Sequence, residues 1–469
     1  MRVSSLVLVI LTVALAAFFR LYRLDTIPPG LYVDQACDGN DAVAAWRSGD
    51  FQVYYPEANG HEGLMIVPQA LLFGLTGQSR PWIVRLPSAV LGVFTVLGIY
   101  LLARQLGLKS TAWLAALFMA ASFWHINASR MGGLWAPPVF FLVWALWLLG
   151  NALSATETRR ALLWAGLAGL IYGLGFHTYQ AYRVTPLLLL FFWQRPAAPR
   201  SWCVGAMTVG VAVLTVLPIA LFAIREPEVY FHRVQQLQLL GSRHPVRDLI
   251  HNLWRTVAMF NFAGDWNSRH NLPGRPMLYW PVGFLFLMGL WVAARRQRWL
   301  WAWVAIGLLP AVLAGEGVPH AGRAVLSMPA AFLLAALGAE WVSRYWPKAL
   351  SLPVVAGLFA LGVALEGYRS YFIQWARDPK VAECCDAPLL SSAASLNALP
   401  VELPKYVLLD RNPMTVGGLP IGAQVIMFLT DTATPERQRA KNFYYLTIDQ
   451  TNQIQRGYIY LCRIVESPP

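Results

Sequence analysis

Apolar runs recur along this chain with little polar sequence between them. They fall at 3–19, 82–103, 111–125, 134–153, 161–176, 183–194, 202–224, 278–294, 299–314, 324–343 and 350–370. A helix rises about 1.5 Å per residue, so ~20 apolar residues match the ~30 Å hydrocarbon core of a bilayer. The pattern predicts a mainly α, polytopic transmembrane bundle of about eleven spans. Several runs are short or carry Pro, as at Pro137-Pro138, which predicts tilted or broken helices packed against protein. The first run follows Arg2, and Ala14-Leu15-Ala16 mimics a signal-peptide cleavage site. The many apolar runs behind it favour a retained helix instead.

The polar intervals give an orientation. The short connections holding Arg104/Lys109, Arg159/Arg160, Arg195/Arg200, Arg295/Arg296/Arg298 and Arg344/Lys348 fall on one side if the spans alternate. Lys and Arg in short loops mark the cytoplasmic face, so the N-terminus is expected there, in a multi-pass plasma (cytoplasmic) membrane protein. The opposite face then receives the long segments 20–81 and 225–277 and everything beyond about 371. Residues 35–47, 62–76 and 246–261 read as external helices. The last two are amphipathic enough to lie in the interface as a cradle for a lipid-linked substrate, or simply to pack on the bundle.

Beyond 371 the pattern shortens. Helical stretches near 371–380 and 387–398 precede strand-like runs at 406–409, 424–429, 443–448 and 458–465. The expected division is a transmembrane catalytic part, 1–370, and an extracytoplasmic α/β domain, 371–469.

Composition sharpens this picture. Hydrophobic residues make up 57% of the chain and charged residues 13%, against ~25% charged in soluble proteins. The net charge of +13 is scattered between apolar runs, which suits topology signals and contacts with anionic lipid or lipid phosphate rather than nucleic acid. The five Cys show no metal-ligand spacing; Cys384 or Cys385 could pair with Cys462 in an oxidising compartment, or all could stay buried thiols.

Candidate chemistry concentrates after the first span. Asp34, Asp38 and Asp41, followed by His61-Glu62, gather carboxylates at the external membrane surface. A carboxylate there can act as a general base with a pKa tuned by partial burial, or can cap a helix. His61, His125 and His177 lie near the same boundary but lack the spacing of a known zinc motif. Asn127-Ala-Ser129 fits a glycosylation acceptor only formally. There is no phosphate-binding loop and no dinucleotide fingerprint.

A resemblance orders these fragments. Tyr32-Val-Asp34-Gln35-Ala36, Gly60-His-Glu62-Gly-Leu64, Leu72-Phe-Gly74 and Arg85-Leu-Pro-Ser-Ala89 resemble the opening of the bacterial GT-C membrane glycosyltransferases. These form glycosyltransferase family 39, related to the protein O-mannosyltransferases and the aminoarabinose transferases. Ser122-Phe-Trp-His125, Ala128-Ser-Arg130, Tyr179-Gln-Ala-Tyr182-Arg183, Asn271-Leu-Pro-Gly-Arg-Pro276 and Pro319-His320-Ala-Gly-Arg323 continue the likeness, which also touches Lys405-Tyr-Val407 and Ala423 to Thr430.

The resemblance implies transfer, with inversion, of a sugar from a polyprenyl-phosphate carrier to a protein, lipid or glycan acceptor on the external face. Asp34 matches the family's catalytic aspartate. Gln35 departs from the family's usual Asp-Glu, so any role of that Glu is missing here or falls to Glu62, Asp38 or Asp41. No cofactor is certain; a divalent metal stays open, with His61 and Glu62 as its weak candidate ligands. A lipid phosphate leaves as a stable anion, so fixed cations can replace the acid that a glycosidase needs. Arg183 and Arg323, with His320, are the first candidates for holding that phosphate; Arg85, Arg130, Arg269 and Arg275 follow. The rival reading is a glycolipid transporter or flippase, which would favour midplane ionisable groups and paired repeats. A scaffold for other envelope enzymes is a third.

Overall fold

The computed structural model describes residues 3–192, 199–236, 239–345, 351–410 and 414–462. Arg195, Lys348 and the end of the 458–465 run lie outside the described residues. Helix α1 (Val3–Leu21) leads to α2 (Val33–Ser48), the short strands β1 (Tyr54–Tyr55) and β2 (His61–Glu62), and α3 (Ile66–Thr76). There follow α4 (Pro81–Gln105), α5 (Ala112–Ala121), α6 (Phe123–Arg130), α7 (Ala136–Ser154), α8 (Thr158–Gly175), α9 (Thr185–Phe192) and α10 (Pro199–Arg225). Next come α11 (Pro227–Gln236), α12 (Pro245–Ala258), α13 (Trp280–Arg296), α14 (Arg298–Val312), α15 (Met328–Arg344) and α16 (Leu352–Tyr368).

Among the described residues every predicted apolar run is mostly helical, though not each as one full span. Among the described residues, five helices are long and apolar enough to cross a bilayer, and five shorter apolar helices of 10–17 residues accompany them. The run 111–125 breaks at Ser122, whose extended backbone (φ −64°, ψ 127°) ends α5 and starts α6. The helices pack chiefly as α13 on α15, α8 on α7 and α10, and α4 on α7. Small residues let backbones approach. A Cβ at Gly289 would sit 1.8 Å from the Leu334 carbonyl oxygen, and one at Gly338 2.0 Å from that of Leu285.

Helix α16 continues through a wide turn (Arg369–Gln374) and a 3₁₀ turn (Trp375–Arg377) before α17 (Pro379–Cys384) and α18 (Ala387–Ala398). Then come β3 (Lys405–Leu409), the hairpin β4 (Thr415–Val416) and β5 (Leu419–Pro420), α19 (Ala423–Thr430), α20 (Pro435–Lys441), β6 (Phe443–Thr447) and β7 (Tyr458–Cys462). The sheet has the order β6-β3-β7, with both flanking strands parallel to β3. Its central strand is buried along its whole length, as a parallel strand covered on both faces must be.

Two expectations fail here. The strand expected at 424–429 is helix α19; a short apolar run buried on all sides fits either element, and residues 421–428 are all buried. The bridge between Cys462 and the Cys384-Cys385 pair is not formed: all five cysteines are free thiols.

The C-terminal elements share one core with the segment after α1. Leu31, Ala36, Val43, Phe73 and Val84 pack with Leu389, Leu396, Val407, Val425, Phe428 and Phe443. Burying each of the larger side chains contributes about 1.5–3 kcal/mol. Asn40 Nδ2 donates to the Gln424 carbonyl (3.0 Å) and to Gln424 Oε1 (2.8 Å), and Arg47 pairs with Asp431 at 2.7 Å. Helix α2 therefore begins beside the bundle and is held along its length by α19.

Candidate active site

The approach to α2 is fixed by two arginines that the sequence offers as phosphate ligands. Arg85, in α4, is buried and donates to the carbonyls of Leu24 (3.1 Å), Pro28 (3.1 Å) and Gly30 (2.6 Å), with Gln35 Oε1 at 3.3 Å. Arg130, ending α6, donates to the carbonyls of Phe19 (3.0 Å), Tyr22 (2.8 Å) and Ile27 (2.7 Å). Neither lines the main polar cavity. Both are clasps for the loop 19–30, whose carbonyls no helix satisfies. Arg275 likewise pairs with Glu366 rather than facing the cavity. His125 meets Arg20 at 2.6 Å and His177 meets the Thr215 carbonyl at 2.9 Å, so both are structural.

The remaining candidates converge. A partly open polar cavity is lined by Asp34, Asp38, His61, Glu62, Arg183, Arg269, His320 and Arg323, with Tyr54, Asn59, Trp135, Tyr179 and Gln180 between them. These residues come from the segments after α1, before α7, before α9, before α13 and before α15. They are the connections that the alternation of spans assigns to one face.

The cavity's acids differ in access. The Asp38 side chain is 8% exposed and Glu62 5%, while Asp34, in the first turn of α2, is 40% exposed. Asp34 is thus the carboxylate that a substrate can reach. Arg269 faces it, with Nη1 3.9 Å from Oδ2, and stacks its guanidinium carbon 4.3 Å from the Tyr32 ring centre. Gln35, on the next position, turns away from the cavity to Arg85.

The other acids are neutralised locally. His61 Nε2 lies 3.4 Å from Asp38 Oδ1 and 3.3 Å from Asp41 Oδ2. Burial alone would lower its pKa, but the two carboxylates outweigh that and raise it to about 9. Burial raises Asp38 to about 7 despite His61. Glu62 is pushed up by burial and partly drawn back by Arg183, whose Nη2 donates to Oε1 at 3.2 Å.

Metal binding does not fit these residues. His61 is held protonated between two carboxylates, and Glu62 is paired to an arginine. Asp265, His270 and His320 bring one ligand atom each within 4.8 Å of one another. Yet His270 Nε2 accepts from Arg269 Nε (3.0 Å) and His320 Nδ1 accepts from the Arg323 backbone N–H (3.2 Å). The ring lone pairs are engaged, and Arg269 and Arg323 already bring positive charge.

A second space adjoins the first. An open groove, almost wholly apolar, is lined by Val184, Leu239, Val246, Leu249, Pro310 and Leu313. Tyr179, Gln180, Arg183 and Arg323 line both spaces. At that junction Arg183 rests 4.1 Å from the Tyr230 ring centre, and its Nε and Nη1 are buried with no hydrogen-bond partner among the described residues. Buried donors left unpaired cost roughly 1–3 kcal/mol each, which an anion would relieve. Arg323 Nη1 donates to the Glu316 carbonyl at 2.7 Å. Sequence reasoning did not single out Asp265 or His270, which carry no recognisable spacing, nor the aromatic seats Tyr32 and Tyr230.

Known proteins resemble this chain in sequence and in fold. Residues 67–224 match the family of dolichyl-phosphate-mannose-protein mannosyltransferases. YkcB of Bacillus subtilis, named as a candidate mannosyltransferase, is 33% identical over 32% of this chain and 20% of its own length. The undecaprenyl phosphate-alpha-4-amino-4-deoxy-L-arabinose arabinosyl transferase of Pseudomonas paraeruginosa is 27% identical over 70% of this chain. The chain spans 64% of that relative's length. Among solved structures, ArnT from Cupriavidus metallidurans bound to undecaprenyl phosphate superposes with a TM-score of 0.57 at 14% identity, covering 96% of this chain and 91% of ArnT. The Archaeoglobus fulgidus oligosaccharyltransferase gives 0.55 at 13% identity, covering 91% and 63%. By fold over nearly its whole length, and by sequence over residues 67–224, this chain resembles the GT-C membrane glycosyltransferases.

Proposed function

We propose that the protein transfers a sugar from a polyprenyl-phosphate carrier to an acceptor at the extracytoplasmic face, with Asp34 as general base. One observation carries the reading. The reachable carboxylate, Asp34, faces a polar cavity that opens past Arg183 and Arg323 into a long apolar groove. The groove suits an isoprenoid tail, the arginines suit the phosphate, and the cavity suits the sugar and acceptor. ArnT from Cupriavidus metallidurans, similar in fold, binds undecaprenyl phosphate, which is such a carrier.

The chemistry follows from this placement. The acceptor oxygen or nitrogen attacks the anomeric carbon from the face opposite the phosphate. The bond from that carbon to the phosphate oxygen breaks, and its electron pair leaves on the phosphate. Arg183 and Arg323 stabilise the charge that develops there. Asp34 takes the acceptor proton, and the anomeric configuration inverts. No acid is required, because the carrier phosphate leaves as an anion. A transporter would not need an accessible carboxylate at the mouth of the lipid groove. The N-terminus on the cytoplasmic side and residues 371–469 on the outer side belong to the same proposal.

The test uses purified protein with undecaprenyl-phosphate-linked mannose and aminoarabinose, an envelope extract as acceptor, and release of undecaprenyl phosphate as readout. Asp34→Asn should lower transfer about 10²–10⁴-fold, the usual contribution of a general base, and leave donor binding intact. Wild-type turnover in that variant would sink the assignment. Movement of glycolipid across vesicles without release of the carrier would favour the transporter.

A further inference from the structure

The geometry points to Asp265 and His270 as a positioning relay that aims Arg269 at Asp34, an inference that rests on Asp34 being the base. An arginine Nε always donates, so the 3.0 Å contact from Arg269 Nε requires a lone pair on His270 Nε2. The ring proton therefore sits on Nδ1, where Asp265 Oδ2 accepts it at 2.8 Å. Asp265 is itself fixed: Oδ2 also accepts the Ala321 N–H at 2.7 Å, and Oδ1 accepts the Asn267 N–H at 2.8 Å. Asn127 Nδ2 pins the backbone from below, donating to the carbonyls of Arg269 (2.9 Å) and His270 (3.0 Å).

The consequence falls on one flexible side chain. With Nε held by His270 and its face stacked on Tyr32, Arg269 has only its two Nη groups left to present to the cavity. One of them faces Asp34. An arginine without such anchors would sample many rotamers and could swing toward the donor phosphate. Asp265 and His270 are 3% and 2% exposed and do not line the cavity, so they act through Arg269 rather than on substrate. The arrangement parallels the way a buried carboxylate sets a histidine's tautomer in metal and hydrolase sites.

The experiment is a double-mutant cycle read in kcat and KM with the undecaprenyl-phosphate sugars. Asp265→Asn leaves one neutral oxygen where a carboxylate served the three N–H donors His270 Nδ1, Ala321 and Asn267, so the ring proton loses its charged acceptor at Nδ1 and the Nε2 lone pair is no longer reserved for the Arg269 N–H. Misplacing Arg269 should lower kcat about ten- to a hundredfold while the donor KM stays unchanged. His270→Gln keeps an oxygen acceptor for Arg269 and should retain most activity. In that background Asp265→Asn should add little, because no tautomer is left to set. Equal losses in both backgrounds would overturn the relay. So would a raised donor KM at unchanged kcat, which would put Arg269 on the donor phosphate. If Asp265→Asn fails to fold by tryptophan-fluorescence melting, His270→Phe against His270→Gln replaces it, and equal kcat in the two would refute the relay. An active Asp34→Asn overturns the base assignment itself; an inactive Asp34→Asn beside a fully active Asp265→Asn overturns the relay alone.

Discussion

His61 sets a pH limit on stability that can be worked out from its surroundings. Its ring stands between Asp38 and Asp41, stacks on Tyr55 with centres 5.5 Å apart, and adjoins Glu62. The pKa is raised from 6.5 to about 9, and one pKa unit is ~1.4 kcal/mol, so the proton is worth roughly 3 kcal/mol to the folded state. A raised folded-state pKa means that this contribution is full below pH 6.5 and is lost progressively as pH rises to about 9. Asp38, raised from 3.8 to about 7, loses its own contribution earlier, between those values. The perturbation is His61→Lys. Lysine, with an ordinary pKa of about 10.4, keeps a cation between the carboxylates but does not titrate in the His61 window. Thermal melting of detergent-solubilised protein, followed by tryptophan fluorescence from pH 6 to 9.5, gives the readout. The wild type should lose several degrees across that window, and the lysine variant should stay nearly level. Parallel curves, or a level wild type, would refute the buried His61–Asp38 pair as the source.

Two further outcomes follow from single contacts. Arg183→Ala should lower kcat/KM for the polyprenyl-phosphate donor about ten- to a hundredfold, with kcat falling as well as KM rising, since the arginine both binds the carrier phosphate and stabilises its leaving charge and charged hydrogen bonds contribute ~1.5–3 kcal/mol each; steady-state kinetics with undecaprenyl-phosphate-mannose measures it, and an unchanged kcat/KM would remove Arg183 from the phosphate site. Gly39→Ala places a Cβ 2.5 Å from the Phe428 ring, an overpacking that should cost about 1–3 kcal/mol. Melting should show the loss, and Phe428→Leu in the same chain should restore part of it.

The bundle was legible because the bilayer reading depends on run length, which one sequence displays directly. Helix α19 was not legible. Five consecutive apolar residues, 425–429, carry no period, and what made them helical is their enclosure between the sheet and α2. That enclosure depends on pairs such as Asn40–Gln424 and Arg47–Asp431, each 384 residues apart. The same contacts change how the residues beyond 371 are tested. Truncation near 380 would strip the cover from Val43, Phe73 and Val84, so lost activity would report a loosened α2, not acceptor choice.

The proposed site shows its carboxylate more readily in the sequence than its cations, for a physical reason. Asp34 stands out through the resemblance of the motif around it; its place in the first turn of α2 would by itself suit the helix dipole as well. An arginine at the end of a span has three outlets: lipid headgroups, a bound phosphate, or backbone carbonyls that no helix satisfies. Local sequence is the same for all three. Arg85 and Arg130 took the third outlet because the loop 19–30 leaves its carbonyls open, and those acceptors lie 55 to 111 residues away in the chain. With those carbonyls already engaged, Arg183 keeps unmatched donors at the apolar groove, and Arg269 is tied by His270 to the side of Asp34. The division of labour among the arginines is therefore set by which carbonyls the loop 19–30 exposes. Substitutions in that loop should disturb catalysis without touching any residue of the cavity.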